Sequence, residues 1–278
     1  MNALCSTSFE AVLENHETVG SPVVGLHCSG ATGMQWAGLQ NKLGAVRFLA
    51  PDLIGTPSRR QWNCAGSFSL SDEAEHVISE IESLGEPANI VGHSYGGALA
   101  LHVARARPDL VKSLCLYEPT LFAVLESGTP EDKTLKTEIN ALSQAIQNGL
   151  EEDCYDYSAQ IFTDFWGGLG AWQALSKERR DAMTDWIEKA PLDFAALLNE
   201  PEAERIVVPD MPVTLLLGSE THSHTARIVD LLLGQTKCTA ARKLRGADHL
   251  GPFTYKSRFE QEVVDHLTRV DECCLQLR

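Results

Sequence analysis

The stretch Asn89-Ile90-Val91-Gly92-His93-Ser94-Tyr95-Gly96-Gly97-Ala98 runs from an apolar strand pattern, through a glycine-flanked serine, into a helical pattern. A turn this tight leaves the serine strained and exposed at a strand tip. Side chains at Gly92 and Gly96 would collide there with neighbouring backbone. The turn also sets Ser94 at a helix amino terminus, which favours developing negative charge. A G-x-S-x-G string alone is common by chance; the strand before it and the helix after it give it weight. Ser94 is therefore expected to be a nucleophile.

Working outward from this turn, short apolar runs suited to buried parallel strands alternate with helical patterns. Strands are predicted at residues 23–27, 46–50, 90–91, 111–117, 213–217 and 239–244. Helices are predicted at residues 69–84, 95–107, 225–233 and 259–267. Ser69 is positioned to cap the first of these with Asp72, Gly85 closes it, and Pro108 stops the second. Such alternation implies an open, mostly parallel sheet with helices on both faces, forming a core of residues 1–118 and 211–278. Residues 119–210 break the rhythm with amphipathic helical segments, including 135–146 and 177–187. This block carries Phe162, Phe165, Trp166, Trp172, Trp186 and Phe194, and reads as a helical lid over the carboxyl edge of the sheet.

A serine hydroxyl needs a base to take its proton. His249, in Leu244-Arg245-Gly246-Ala247-Asp248-His249, follows the last strand and so falls on a loop at the same edge as Ser94. The other histidines suit other places. His27 and His93 suit loop support, His76 and His102 lie in helices, and His222 and His224 fit a surface loop better than a metal pair without a third ligand. For an oxyanion, one N–H is expected from Tyr95. The second is expected from Ser29 in His27-Cys28-Ser29-Gly30, whose small residues admit a close backbone approach.

The formal net charge of −15 repels polyanions, and Arg59-Arg60 and Arg179-Arg180 are isolated pairs, so no nucleic-acid partner is expected. Residues 1–10 lack a basic segment followed by an apolar run. No stretch reaches the roughly 18 apolar residues of a membrane helix. The eight cysteines are scattered, with Cys273-Cys274 adjacent, which suits reduced thiols. A cytoplasmic monomer or homodimer without membrane association is the expectation.

From the strand ending at His27 almost to the carboxyl terminus, these residues together resemble the α/β-hydrolase superfamily. His27-Cys28-Ser29-Gly30 is similar to its H-G-x oxyanion loop, with Cys28 in place of glycine. Asp52-Leu53-Ile54-Gly55-Thr56-Pro57-Ser58 is similar to its D-x-x-G-x-G-x-S loop, with Pro57 in place of glycine. The aromatic insertion matches the lid of the epoxide hydrolase and haloalkane dehalogenase branch, but those activities use an aspartate nucleophile and Ser94 argues against both. The resemblance implies an acid after the strand 213–217. There Gly218-Ser219-Glu220-Thr221 carries threonine at the usual position and Glu220 one residue early. In some relatives the acid ends the preceding strand, which here gives Glu118. Glu118 is preferred and Glu220 is the alternative; Asp248, adjacent to His249, is badly placed to orient it.

The expected activity is hydrolysis of a small carboxylic ester or lactone through an acyl-enzyme. Ser94, His249 and Glu118 would be catalytic, and no metal or organic cofactor is implied. Cys28, Phe122, Phe162, Trp166 and Leu250 are the expected pocket walls, suited to an apolar or aromatic substrate. Carbon–carbon cleavage of a diketone and ligand binding without turnover remain the alternatives, because fold does not fix function.

Overall fold

The computed structural model describes residues 20–59, 68–126, 128–201, 211–235 and 239–276. Residues 1–10, expected to carry no leader, and the end of the insertion lie outside the described residues. Strands β1 (Val23–Leu26), β2 (Phe48–Leu49), β3 (Ala88–His93), β4 (Val111–Tyr117), β5 (Val213–Gly218) and β6 (Thr239–Leu244) form one sheet. Its order is β2-β1-β3-β4-β5-β6 and every pairing is parallel. The helices begin with α1 (Ala37–Leu43), α2 (Leu70–Ser83) and α3 (Tyr95–Ala106). Between β4 and β5 come α4 (Pro130–Glu151), α5 (Tyr155–Gly167), α6 (Ala171–Ala174), α7 (Lys177–Trp186) and α8 (Ala190–Leu198). Last are α9 (Ser223–Leu233), α10 (Gly251–Thr254) and α11 (Lys256–Gln276).

Successive strand side chains point to opposite faces, and the inner strands β1, β3, β4 and β5 are covered on both, which is why they read as largely apolar runs. Val24, Leu26, Ile90, Leu114 and Leu215 join one core with Val77 of α2, Leu99 of α3 and Ile228 of α9. Val23, Val91, Cys115, Tyr117 and Leu216 join a second with Leu39 of α1 and Phe259 and Val263 of α11. Phe162, Trp166, Trp172, Trp186 and Phe194 of the insertion belong to the first core, with Phe165 packed against it.

Local chemistry explains the element ends. Ser69 Oγ accepts from the Asp72 N–H while the Asp72 carboxylate accepts from the Ser69 N–H, the reciprocal cap expected for α2. Three expectations change. The edge strand β2 pairs over two residues rather than five. Helix α11 runs on well past residue 267. Helix α9 starts at Ser223, so His224 is a buried helical residue bonded through Nε2 to Glu138 at 2.8 Å, not part of a surface loop. Cys28, Cys115 and Cys154 are free thiols. Among the described residues, no helix is long and apolar enough to cross a membrane.

Candidate active site

Strand β3 delivers His93, helix α3 opens at Tyr95, and Ser94 between them has φ 54° and ψ −116°. A left-handed conformation costs a non-glycine residue about 1–3 kcal/mol. Surrounding hydrogen bonds hold it. Ser94 N–H donates to Tyr117 O at 3.0 Å, and Ser94 O accepts from the N–H groups of Gly97 (2.9 Å) and Ala98 (3.1 Å). A β-carbon on Gly96 would lie 2.2 Å from Leu26 O, and one on Gly92 2.7 Å from Gly96 O. The backbone therefore packs β1, and with it the loop after His27, directly against the turn.

His249 follows β6 and reaches Ser94: Ser94 Oγ donates to Nε2 at 2.9 Å. On the other side, Nδ1–H donates to Glu118 Oε2 at 2.8 Å. Glu118 sits at the tip of β4, itself at φ 43°, and is fully buried. Its Oε1 accepts from the Gly218 N–H at 2.7 Å, and its Oε2 also accepts from the Thr221 hydroxyl at 2.5 Å. Burial alone would push this carboxyl up. The hydrogen bonds from His249, Thr221 and Gly218, with the electrostatic pull of the adjacent imidazole, outweigh it and hold the carboxyl below the ordinary glutamate range. Glu220 is exposed and bonds Ser219 Oγ at 2.9 Å; it does not join His249.

Two further histidines hold the loops. His249 O accepts from His93 Nε2–H at 2.9 Å, so His93 Nδ1 accepts from Gln35 Nε2 at 3.0 Å. Gln35 Oε1 then accepts from the Cys28 N–H at 3.1 Å. Burial, then the nearby His249, pushes His93 well below the ordinary imidazole value, so it works as a neutral tether. His27 Nδ1–H donates to Cys28 O at 2.8 Å and Nε2 accepts from the Leu53 N–H at 3.0 Å. Both histidines support loops, as their sequence positions suggest. Asp248 Oδ1 accepts from the Leu250 N–H and serves the turn.

Around this core lies an aromatic wall. The Trp166 ring of α5 stacks on the His249 imidazole with centroids 4.2 Å apart and planes 30° apart. Phe122 stacks between Trp166 (6.4 Å) and Phe194 of α8 (6.0 Å), and Phe162 meets Trp186 at 5.1 Å. Leu250 is half-buried and lies against Gly167 at the end of α5. Cys28 is buried, and desolvation pushes its thiol up to about 12.

With this geometry in place, residues 23–265 match the model of the alpha/beta hydrolase family. The chain belongs to that family. It is 34% identical over 100 residues to the lipase LipV of Mycobacterium tuberculosis, covering 36% of this chain and 37% of that protein. It is 34% identical over 101 residues to the 2-hydroxymuconate semialdehyde hydrolase of Pseudomonas putida, covering 35% and 36% respectively. The chain thus spans about a third of the length of these curated relatives. In fold it superposes on MenH from S. aureus with a TM-score of 0.74 at 14% identity, over 92% of this chain and 96% of that one.

Several residues of this alpha/beta hydrolase escape sequence reading. Thr221, at the position where the superfamily usually carries its acid, gives its hydroxyl to Glu118 instead. Gln35 links His93 to the loop at Cys28. Lys189 and Asp193, a charged pair four residues apart in an apolar segment, lie buried beside Ser29. That spacing was their only sequence signal.

Proposed function

We propose that this chain is a serine hydrolase that cleaves a small carboxylic ester or lactone through an acyl-enzyme. The observation that carries the reading is the buried hydrogen-bonded series Ser94 Oγ, His249, Glu118, at 2.9 and 2.8 Å. Ser94 Oγ attacks the carbonyl carbon while His249 Nε2 takes its proton. Glu118 keeps the proton on Nδ1 and stabilises the imidazolium. His249 returns the proton to the departing alkoxide, and a water, activated by the same nitrogen, then hydrolyses the acyl-enzyme.

Tyr95 opens α3, so its N–H is one of the helix-start donors without an intrahelical partner. In the facing loop the Cys28 N–H is committed to Gln35 and the Ala31 N–H to Cys28 O, which supports Ser29 N–H as the second oxyanion donor. Helices α4–α8 act as the lid. Phe122, Phe162 and Trp166, with Cys28 and Leu250, make the walls of a pocket for an apolar or aromatic substrate. The name of the lipase LipV agrees with ester cleavage. The name of the 2-hydroxymuconate semialdehyde hydrolase keeps carbon–carbon cleavage, which needs the same residue types, as the second reading.

The test is turnover of short-chain 4-nitrophenyl esters. Ser94→Ala is expected to fall to background and Glu118→Gln to lose about 10²–10⁴ in kcat. Glu220→Gln is expected to stay within about twofold of wild type, because its carboxylate faces solvent. A wild type no faster than Ser94→Ala on esters, yet active on a diketone, would move the assignment to carbon–carbon cleavage.

A further inference from the structure

An oxyanion site works only if its N–H donors are held still before the charge develops. The side chains of the two residues assigned as donors enter one buried ionic network. Ser29 Oγ donates to Asp193 Oδ2 at 2.6 Å, and Asp193 Oδ1 accepts from Lys189 Nζ at 2.5 Å. Lys189 Nζ also donates to Glu73 Oε2 at 3.2 Å, and that oxygen accepts from the Tyr95 hydroxyl at 3.2 Å. Glu73 Oε1 accepts from the Ile54 N–H at 2.8 Å. Glu73, Tyr95, Lys189 and Asp193 are all buried.

The network is built from the insertion towards the core. Lys189 ends the turn before α8 and Asp193 lies one helical turn further on, so both project from one side. The Lys189 stem crosses Gly55, where a β-carbon would sit 2.7 Å from Lys189 Cγ. Gly30, next to Ser29, is roofed by Met183 of α7, whose Cε would lie 2.8 Å from a β-carbon there. The ammonium has two carboxylates as partners and sits 4.3 Å over the Phe68 ring, so its donors are satisfied within the protein. That argues against a role in capturing an anionic substrate. A buried ion cluster is also a poor way to stabilise a fold, since apolar residues of similar size often do as well.

We propose that Lys189 and Asp193 are positioning residues for the oxyanion site. Asp193 fixes the Ser29 loop through its hydroxyl, and Lys189, acting through Glu73, ties Tyr95 to the same anchor. The helices that roof the site thereby also set both N–H donors. This rests on the assignment of the Ser29 and Tyr95 N–H groups made above.

The experiment measures the rate at which a fluorophosphonate probe labels Ser94, together with kcat and KM on the ester and the thermal midpoint. The probe places its phosphoryl oxygen where the oxyanion would lie. Ser29→Ala and Asp193→Ala are each expected to slow labelling and kcat by about tenfold, with KM within about twofold. The double variant should be no slower than Asp193→Ala alone, because both remove one interaction. Ser29→Thr, which keeps the hydroxyl, should restore most of the rate, and Ser29→Ala should stay folded at the assay temperature with only a modest drop in the thermal midpoint. Wild-type labelling rates in Ser29→Ala, or losses that multiply in the double variant, overturn the inference alone. Ser29→Ala decides it even if Asp193→Ala fails to fold. Failure of the wild type to label above Ser94→Ala overturns the serine reading, and this inference with it.

Discussion

Glu118 carries the residue-scale argument, because three donors converge on one buried carboxylate and only one of them is the imidazole. The Thr221 hydroxyl bonds a charged acceptor, an interaction worth about 1.5–3 kcal/mol. Thr221→Val should therefore lower kcat by roughly three- to tenfold with KM little changed, as steady-state kinetics on the wild-type substrate would reveal. Trp166 acts on the other ring face. An imidazolium formed at His249 would lie against its indole at 4.2 Å, a contact worth about 0.5–2 kcal/mol. Trp166→Leu is expected to lose several-fold in kcat and Trp166→Phe to recover part of it. Cys28, whose thiol burial pushes up to about 12, should resist alkylation by iodoacetamide at neutral pH, read as mass increments over time.

Among the elements, the β3-to-α3 turn is the most constrained. Gly96→Ala would press a methyl against Leu26 O at 2.2 Å, which the backbone of β1 cannot yield to. The expected result is loss of soluble enzyme or a sharp fall in the thermal midpoint. The insertion is clamped differently. Asp132, in the first turn of α4, accepts two hydrogen bonds from Arg227 of α9 at 2.6 and 3.0 Å and caps Thr129. Arg227 is the chief reason its carboxyl is held at about 2. The folded value lies below the unfolded one of about 3.9. Its contribution is thus complete above that value and is lost as pH falls towards 2. Asp132→Asn should cost about 1–2 kcal/mol at neutral pH in urea unfolding, and the difference should shrink as the pH is lowered through this range.

At the scale of the whole molecule, one buried polar ladder pins α11 to three strands. His266 Nδ1 accepts from Thr214 Oγ1 of β5 at 2.8 Å, and Nε2–H donates to Ser113 Oγ of β4 at 2.9 Å. Ser113 in turn donates to Asn89 Oδ1 of β3 at 2.6 Å. Desolvation, with a smaller push from Arg269, lowers His266 to about 4, so the folded state keeps it neutral. The unfolded chain binds that proton at about pH 6.5. Stability is therefore complete above about pH 6.5 and falls by up to about 3 kcal/mol as pH drops towards 4. Buried His27 and His93 act in the same direction. The urea midpoint should decline steadily between pH 7 and pH 4.5, and the decline should be shallower in His266→Gln.

The sequence by itself determined what depends on near neighbours. The Ser94 turn, the cap at Ser69, the parallel strands and the His249 loop are set by steric rules and periodicities acting within a few residues. Parallel order then brings the carboxyl ends of β3, β4, β5 and β6 to one edge. For this reason Ser94 and His249 could be paired from sequence. The choice between Glu118 and Glu220 could not be settled that way, because both lie at tips of neighbouring strands and what separates them is side-chain direction. Only the tertiary structure separates their surroundings: buried Glu118 lies 2.8 Å from His249 Nδ1, while exposed Glu220 bonds Ser219 Oγ. The same holds for Thr221, Gln35, Lys189 and Asp193. Their partners lie far along the chain, and the desolvation that strengthens each bond exists only once the whole chain has folded.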